Sequence, residues 1–88
     1  MLVYHAAYYG IEDGWYMAKV LDFPGVITQG KTLPAARRML RDALREMATW
    51  YLEDGRAFPA PNPRARDKTA KVLEPIRLGV RVLSGVGS

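Results

Sequence analysis

Residues 33–54 decide what kind of fold this chain can adopt. Thr32 stands where a helix N-cap is needed, and Pro34 lies in the first turn, where no helix hydrogen bond is lost. Gly55 supplies the left-handed residue that closes a helix. Between these signals Leu33, Ala36, Met39, Leu40, Ala43, Leu44, Met47, Trp50 and Tyr51 share an arc of roughly 140°. Arg37, Arg38, Arg41, Asp42, Arg45, Glu46, Thr49 and Glu53 hold the opposite arc. The pattern predicts one amphipathic helix of about six turns, its apolar face against a sheet.

Strand patterns flank this helix. Residues 1–9 alternate, with Leu2, Tyr4, Ala6 and Tyr8 on one face and Val3, His5, Ala7 and Tyr9 on the other. Residues 10–14 (GIEDG) form a turn in which Asp13-Gly14 tolerates positive φ, and residues 15–21 form a second strand. Asp22-Phe23-Pro24-Gly25 is a second turn, with Asp22 expected to anchor it by an Asx-type bond. Residues 26–29 make a short third strand. After the helix, residues 56–63 carry alternating prolines and should be extended, and residues 64–71 are polar, either loop or a single helical turn. Residues 72–83 read as a last strand, placed at a sheet edge by Pro75, and residues 84–88 as a flexible tail. The expected fold is α+β: a two-layer β-β-β-α-β domain over residues 1–83, its antiparallel-type sheet covered on one face by the helix. Residues 1–55 are its core and 56–71 a proline-rich basic linker.

At 88 residues the chain has room for one modest core. It has no cysteine, so disulfides, thiolate metal sites and a cysteine nucleophile are excluded. There is no apolar run of about 18 residues to span a membrane. The N-terminal MLVYHAAYYG lacks the basic-then-apolar pattern of a secretion signal, so a cytoplasmic protein is expected. Gln29 and Asn62 are the only side-chain amides and nine Arg stand against four Lys, a bias that fits a heat-adapted source and equally a GC-rich coding bias.

A single helix covers one face of a sheet, and a solitary monomer should then have a polar second face. Here both faces of the first two strands are apolar, and two Trp, five Tyr and two Phe exceed what one helix can cover. The uncovered face is expected to meet another protein surface, a second copy or a different partner. The alternative is that residues 56–71 fold back over it.

Chemistry finds little support. His5 is the only histidine, so no zinc site is expected. No Ser or Thr has a visible base beside it, and no glycine-rich phosphate loop occurs. The carboxylates lie in turns or on the helix's solvent arc rather than on a central strand, so neither enzyme activity nor a cofactor is expected. Nucleic acid is the remaining class. The net charge is +4, with Arg37, Arg41 and Arg45 forming a stripe at helical spacing. Most of the surplus, however, is in residues 56–71, where Arg56, Arg64, Arg66, Lys68 and Lys71 face only Asp67.

Taken together, Tyr4 and Tyr8 on the first strand, Gly14 with Tyr16, the Asp22–Gly25 turn and Thr28-x-Gly30-x-Thr32 resemble the HicB-like antitoxin family of bacterial and archaeal toxin–antitoxin systems. The resemblance runs on through Ala36, Leu40 and Leu44 to Asp54-Gly55 and Pro59-x-Pro61, covering about residues 1–61. It implies a partial ribonuclease-H-like fold without that enzyme's acids, homo-oligomers, and neutralisation of a small HicA-type ribonuclease that cuts mRNA. Its signature residues here are Asp22, Pro24, Gly25, Thr28, Gly30, Thr32 and Gly55. Val26, Lys31 and Pro34 depart from it, standing where the family often has Cys or acids. Residues 62–88 show neither a helix-turn-helix nor a ribbon-helix-helix, so operator binding is not expected.

The expected function is that of a non-catalytic protein-binding module, an antitoxin acting by occlusion. Its candidate contacts are Val3, His5, Tyr9, Trp15 and Tyr16 on the uncovered sheet face, with the Arg37, Arg41 and Arg45 edge. The competing readings are a small RNA- or DNA-binding domain and an orphan homo-oligomer, dimer or tetramer.

Overall fold

The structure is a computed structural model and describes residues 1–79. Its elements run β1 (Leu2–Gly10), a short 3-10 turn (Glu12–Gly14), β2 (Tyr16–Val20), β3 (Ile27–Gly30), α1 (Leu33–Glu53) and β4 (Val72–Leu78). The expected order is observed. Residues 80–83 of the last predicted strand, and the tail at 84–88, lie outside the described residues. All strand pairs are antiparallel, in the order β3-β2-β1-β4. β4 is an edge, which accommodates the missing donor of Pro75.

The turns follow their residues. Asp13 (φ 60) and Gly14 (φ 77) take the left-handed conformation that closes the β1–β2 hairpin, and Gly25 (φ 90) does so in the second turn. Thr32 Oγ1 accepts the Ala35 N–H at 3.1 Å as the helix N-cap. At the other end the Arg56 N–H reaches Tyr51 O and the Gly55 N–H reaches Leu52 O, the pair of bonds that closes a Schellman motif around left-handed Gly55.

Tyr4, Ala6 and Tyr8 of β1, Ala18 and Val20 of β2, and Ile76 and Leu78 of β4 face α1 and are buried with Ala36, Leu40, Leu44, Ala48 and Tyr51. Each fully buried leucine here contributes about 2 kcal/mol of burial energy. The apolar arc read from the sequence needs one correction. Met39 and Trp50 are 48% and 53% exposed, whereas Ala48, outside the arc, is buried. The cause is the seat of the helix, which packs on β3 and β2 and barely touches β4. Its Met39–Trp50 flank overhangs the sheet beyond β3.

Residues 56–71 also differ from a simple linker. Phe58 packs on the core, ringed by Phe23 and Tyr51, and the Tyr4 hydroxyl donates to Pro59 O at 2.8 Å. The chain then rounds the end of the sheet to the second face. There the Asn62 N–H reaches Asp22, and Asp67 accepts from Tyr9. The Lys71 N–H bonds Tyr8 O at 2.7 Å where β4 begins. Between the two second-face contacts Ala7 is fully buried. The segment is a strap, and the sheet face expected to be bare is partly covered by it.

Candidate partner-binding surface

Asp22 organises the second face. Its carboxylate accepts the His5 N–H at 2.8 Å and the Asn62 N–H at 2.9 Å, and its Oδ2 lies 2.8 Å from His5 Nδ1. Burial alone would push this carboxyl up. The bonds from the His5 ring, from Asn62 and from the His5 backbone outweigh that effect and hold it below the ordinary carboxylate range. The Asx-type anchor expected of Asp22 is therefore corrected: these bonds tie the turn to β1 and to the strap, both distant in sequence.

Asp67 forms the second tie, accepting the Tyr9 hydroxyl at 2.6 Å and the Thr69 N–H at 2.9 Å. The bond from Tyr9 and then those from Thr69 hold its carboxyl down at about 2. Burial and then the Asp67 bond push Tyr9 up to about 12. The Lys19 Nζ lies 5.4 Å from the centre of the Tyr9 ring.

The structure sorts the candidate contacts. Val3, His5 and Tyr9 share the face away from the helix, where Val3 and Leu73 stay exposed. Tyr16 does not belong with them. It pairs with Gly10 and Gly30 on the helix side and packs against the core. The reason is parity: β2 starts at Tyr16, in register with Ala18 and Val20. Trp15 precedes the strand and lines an open cleft of about 470 Å³ with Ile11, Glu12, Asp13 and Gln29.

The arginine stripe is likewise divided. Arg37 grips Glu74 on β4 with Nε and Nη2, both at 2.9 Å, and lies over the Tyr8 ring. It clamps helix to sheet. Arg45 pairs with Asp42 one turn before it. Arg41 lines a smaller cleft of about 230 Å³ with Tyr8, Glu74, Pro75, Ile76 and Arg77.

The signature residues each have a structural task. Gly25 holds a left-handed turn, with exposed Pro24 before it, and Thr28 faces the helix opposite Ala18. A Cβ on Gly30 would lie 2.5 Å from Ala36 N, so only glycine lets α1 cross β3 there. Sequence reasoning missed Asn62, Asp67 and Glu74 as partners, because each lies 37 to 58 residues from its mate. Among the described residues no group of three or more His, Cys, Asp or Glu could hold a metal ion, and no helix is long and apolar enough to cross a membrane.

The sequence profile of the UPF0150-like family matches residues 3–59, from the start of β1 to the strap proline that receives Tyr4. The chain belongs to the UPF0150-like family. It is 37% identical over 51 residues to Antitoxin HicB of Escherichia coli K12, and equally to Antitoxin HicB of Escherichia coli O157:H7. Those matches cover 58% of this chain and 37% of the relatives, so the UPF0150-like chain spans well under half of their length. The crystal structure of the N-terminal domain of Burkholderia pseudomallei antitoxin HicB superposes with a TM-score of 0.75 at 20% identity. It covers 90% of this chain and 100% of that one, a likeness of fold. The HicB-like resemblance read from the turn and helix-start residues is borne out.

Proposed function

We propose that this chain is a HicB-like antitoxin domain, a non-catalytic module that binds a small HicA-type ribonuclease and blocks its nucleic-acid surface by occlusion. The observation that carries this reading is the 37% identity to Antitoxin HicB over 51 residues. The partner meets the second sheet face at Val3, His5 and Tyr9, with Trp15 at its hairpin end and Arg41 and Arg45 on the helix. The domain acts in the cytoplasm and self-associates as a dimer or tetramer. Within the strap Arg56 is engaged by the fold, stacking on Tyr51 at 4.2 Å.

The test is neutralisation. A small HicA-type ribonuclease is expressed alone and with this chain. Growth arrest and mRNA cleavage by the ribonuclease, both relieved by the chain, support the reading. Undiminished cleavage with no co-purifying complex contradicts it.

A further inference from the structure

The smaller cleft lies at the edge of the sheet. β4 is an edge strand, and Pro75 in its middle has no N–H to offer another strand, so sheet extension does not close the space beyond it. Arg41 of α1 and Arg77 of β4 line this cleft of about 230 Å³ from the two layers, with Tyr8, Glu74 and Pro75 between them. Arg77 stands opposite Val3 in the β1–β4 register, so the cleft adjoins the second sheet face.

Charge in the cleft is unbalanced. Glu74 is the acid in its lining, and Arg37 takes both oxygens of that carboxylate at 2.9 Å. Arg41 and Arg77 are exposed and enter no ion pair among the described residues. Arg41 is nevertheless turned toward the cleft. Burial and then Glu74 push the Tyr8 hydroxyl up to about 12, while Arg37 and Arg41 both pull it back, so the Arg41 charge stands near the Tyr8 wall. Its neighbour Arg45, by contrast, is held by Asp42. Three guanidiniums thus share one carboxylate, and two positive charges are left without a counter-charge.

We propose that this cleft seats one carboxylate of a protein partner, an aspartate or glutamate side chain held between Arg41 and Arg77 beside the Arg37–Glu74 pair. The cleft's own acid shows the chemistry. Arg37 takes Glu74 with two N–H groups, the fork-on-fork arrangement in which a guanidinium matches a carboxylate. The surplus charge is also confined. A nucleic-acid backbone brings a row of phosphates and needs a row of bases, whereas here Glu74 inside the cleft and Asp42 next to Arg41 oppose a polyanion. A single carboxylate is matched to what remains. Seating it strips water from both arginines, which strengthens each bond. This assignment names one subsite of the protein contact in the proposed function and rests on that contact being with protein.

Two measurements on the full chain test it. In the first, isotope-labelled chain is titrated at low salt with acetyl-glutamate amide, a probe with one carboxylate. The Arg41 and Arg77 Nε–H resonances are expected to shift at millimolar probe and to stay still with neutral acetyl-glutamine amide. Resonances that the carboxylate leaves unmoved overturn the seat. So does an RNA tetranucleotide that moves them at lower concentration than the probe, which would give the cleft to phosphate. In the second, affinity for the HicA-type ribonuclease is measured. Arg41→Gln with Arg77→Gln is expected to bind about tenfold or more weakly with unchanged helical circular dichroism. Arg38→Gln with Arg64→Gln, which removes as much charge away from the cleft, is expected to bind as the wild type does. Equal affinities for the wild type and the cleft variant, or equal losses in both variants, overturn the seat and leave the proposed function standing. A wild type that does not bind the ribonuclease overturns the proposed function, and the titration then decides the seat by itself.

Discussion

Gly30 and Ala36 are in backbone contact: a Cβ on Gly30 would fall 2.5 Å from Ala36 N and 2.8 Å from Ala36 Cα. This crossing seats the first turn of α1 on β3 and so fixes where the helix lies on the sheet. Gly30→Ala must push helix and strand apart. A loss of about 3 kcal/mol, the upper part of the usual range for overpacking, is expected by chemical denaturation. Gly14→Ala is a useful contrast, since no atom lies within 4 Å of its Cβ position and only the positive φ of 77° opposes it. A loss of about 1 kcal/mol is expected there.

Asp22 gathers β1, the second turn and the strap on one carboxylate. Asp22→Ala leaves the His5 and Asn62 amides without their acceptor, and about 3 kcal/mol should be lost. In hydrogen exchange the Asn62 amide should lose protection first. Asp42→Ala, which removes an exposed pair with Arg45, should leave stability unchanged.

The Tyr9–Asp67 tie gives the strap a pH range. Asp67 lies at about 2, below its ordinary 3.8, so its contribution is present above pH 3.8 and is lost as the pH falls toward 2. Tyr9 lies at about 12, above its ordinary 10.0, so its contribution is whole below pH 10 and is lost as the pH rises toward 12. Amide protection in residues 62–70, measured against the unfolded chain at the same pH, should therefore hold between these limits and fall beyond both. Tyr9→Phe should remove the alkaline limb and weaken the acid one.

The helix caps should behave as local devices. Thr32→Ala loses the bond to the Ala35 N–H, and Gly55→Ala forces a side chain onto a φ of 67°. Each is expected to cost about 1 kcal/mol in thermal or chemical unfolding.

Much of this was legible in the sequence because it is local. The helix limits follow from Thr32, Pro34 and Gly55, the turns from Asp13-Gly14 and Pro24-Gly25, and the edge position of β4 from Pro75. What was not legible is long-range. Strand parity alone gives no choice between the Tyr4 and Val3 faces, so the helix side emerges only when Ala36 and Leu40 meet Tyr4 and Tyr8. The strap read as a solvated basic segment because its anchors, the Asn62 backbone N–H and the lone Asp67, carry no periodic signal. Arg37 read as one member of a charged stripe, yet its bond to Glu74 reaches across 37 residues. Tyr16 groups with Val3 in the sequence because both strands are apolar on either face, and only the register with Gly10 assigns it to the core.

The proposed function has this domain binding protein and not nucleic acid. A gel shift of the full chain with structured RNA, titrated with salt, tests it most directly. Nucleic-acid affinity falls steeply with salt because counterions are released, whereas an apolar protein contact is nearly indifferent. No retained complex is expected at about 150 mM salt. A tight complex at that salt, weakening steeply as salt is added, would contradict it.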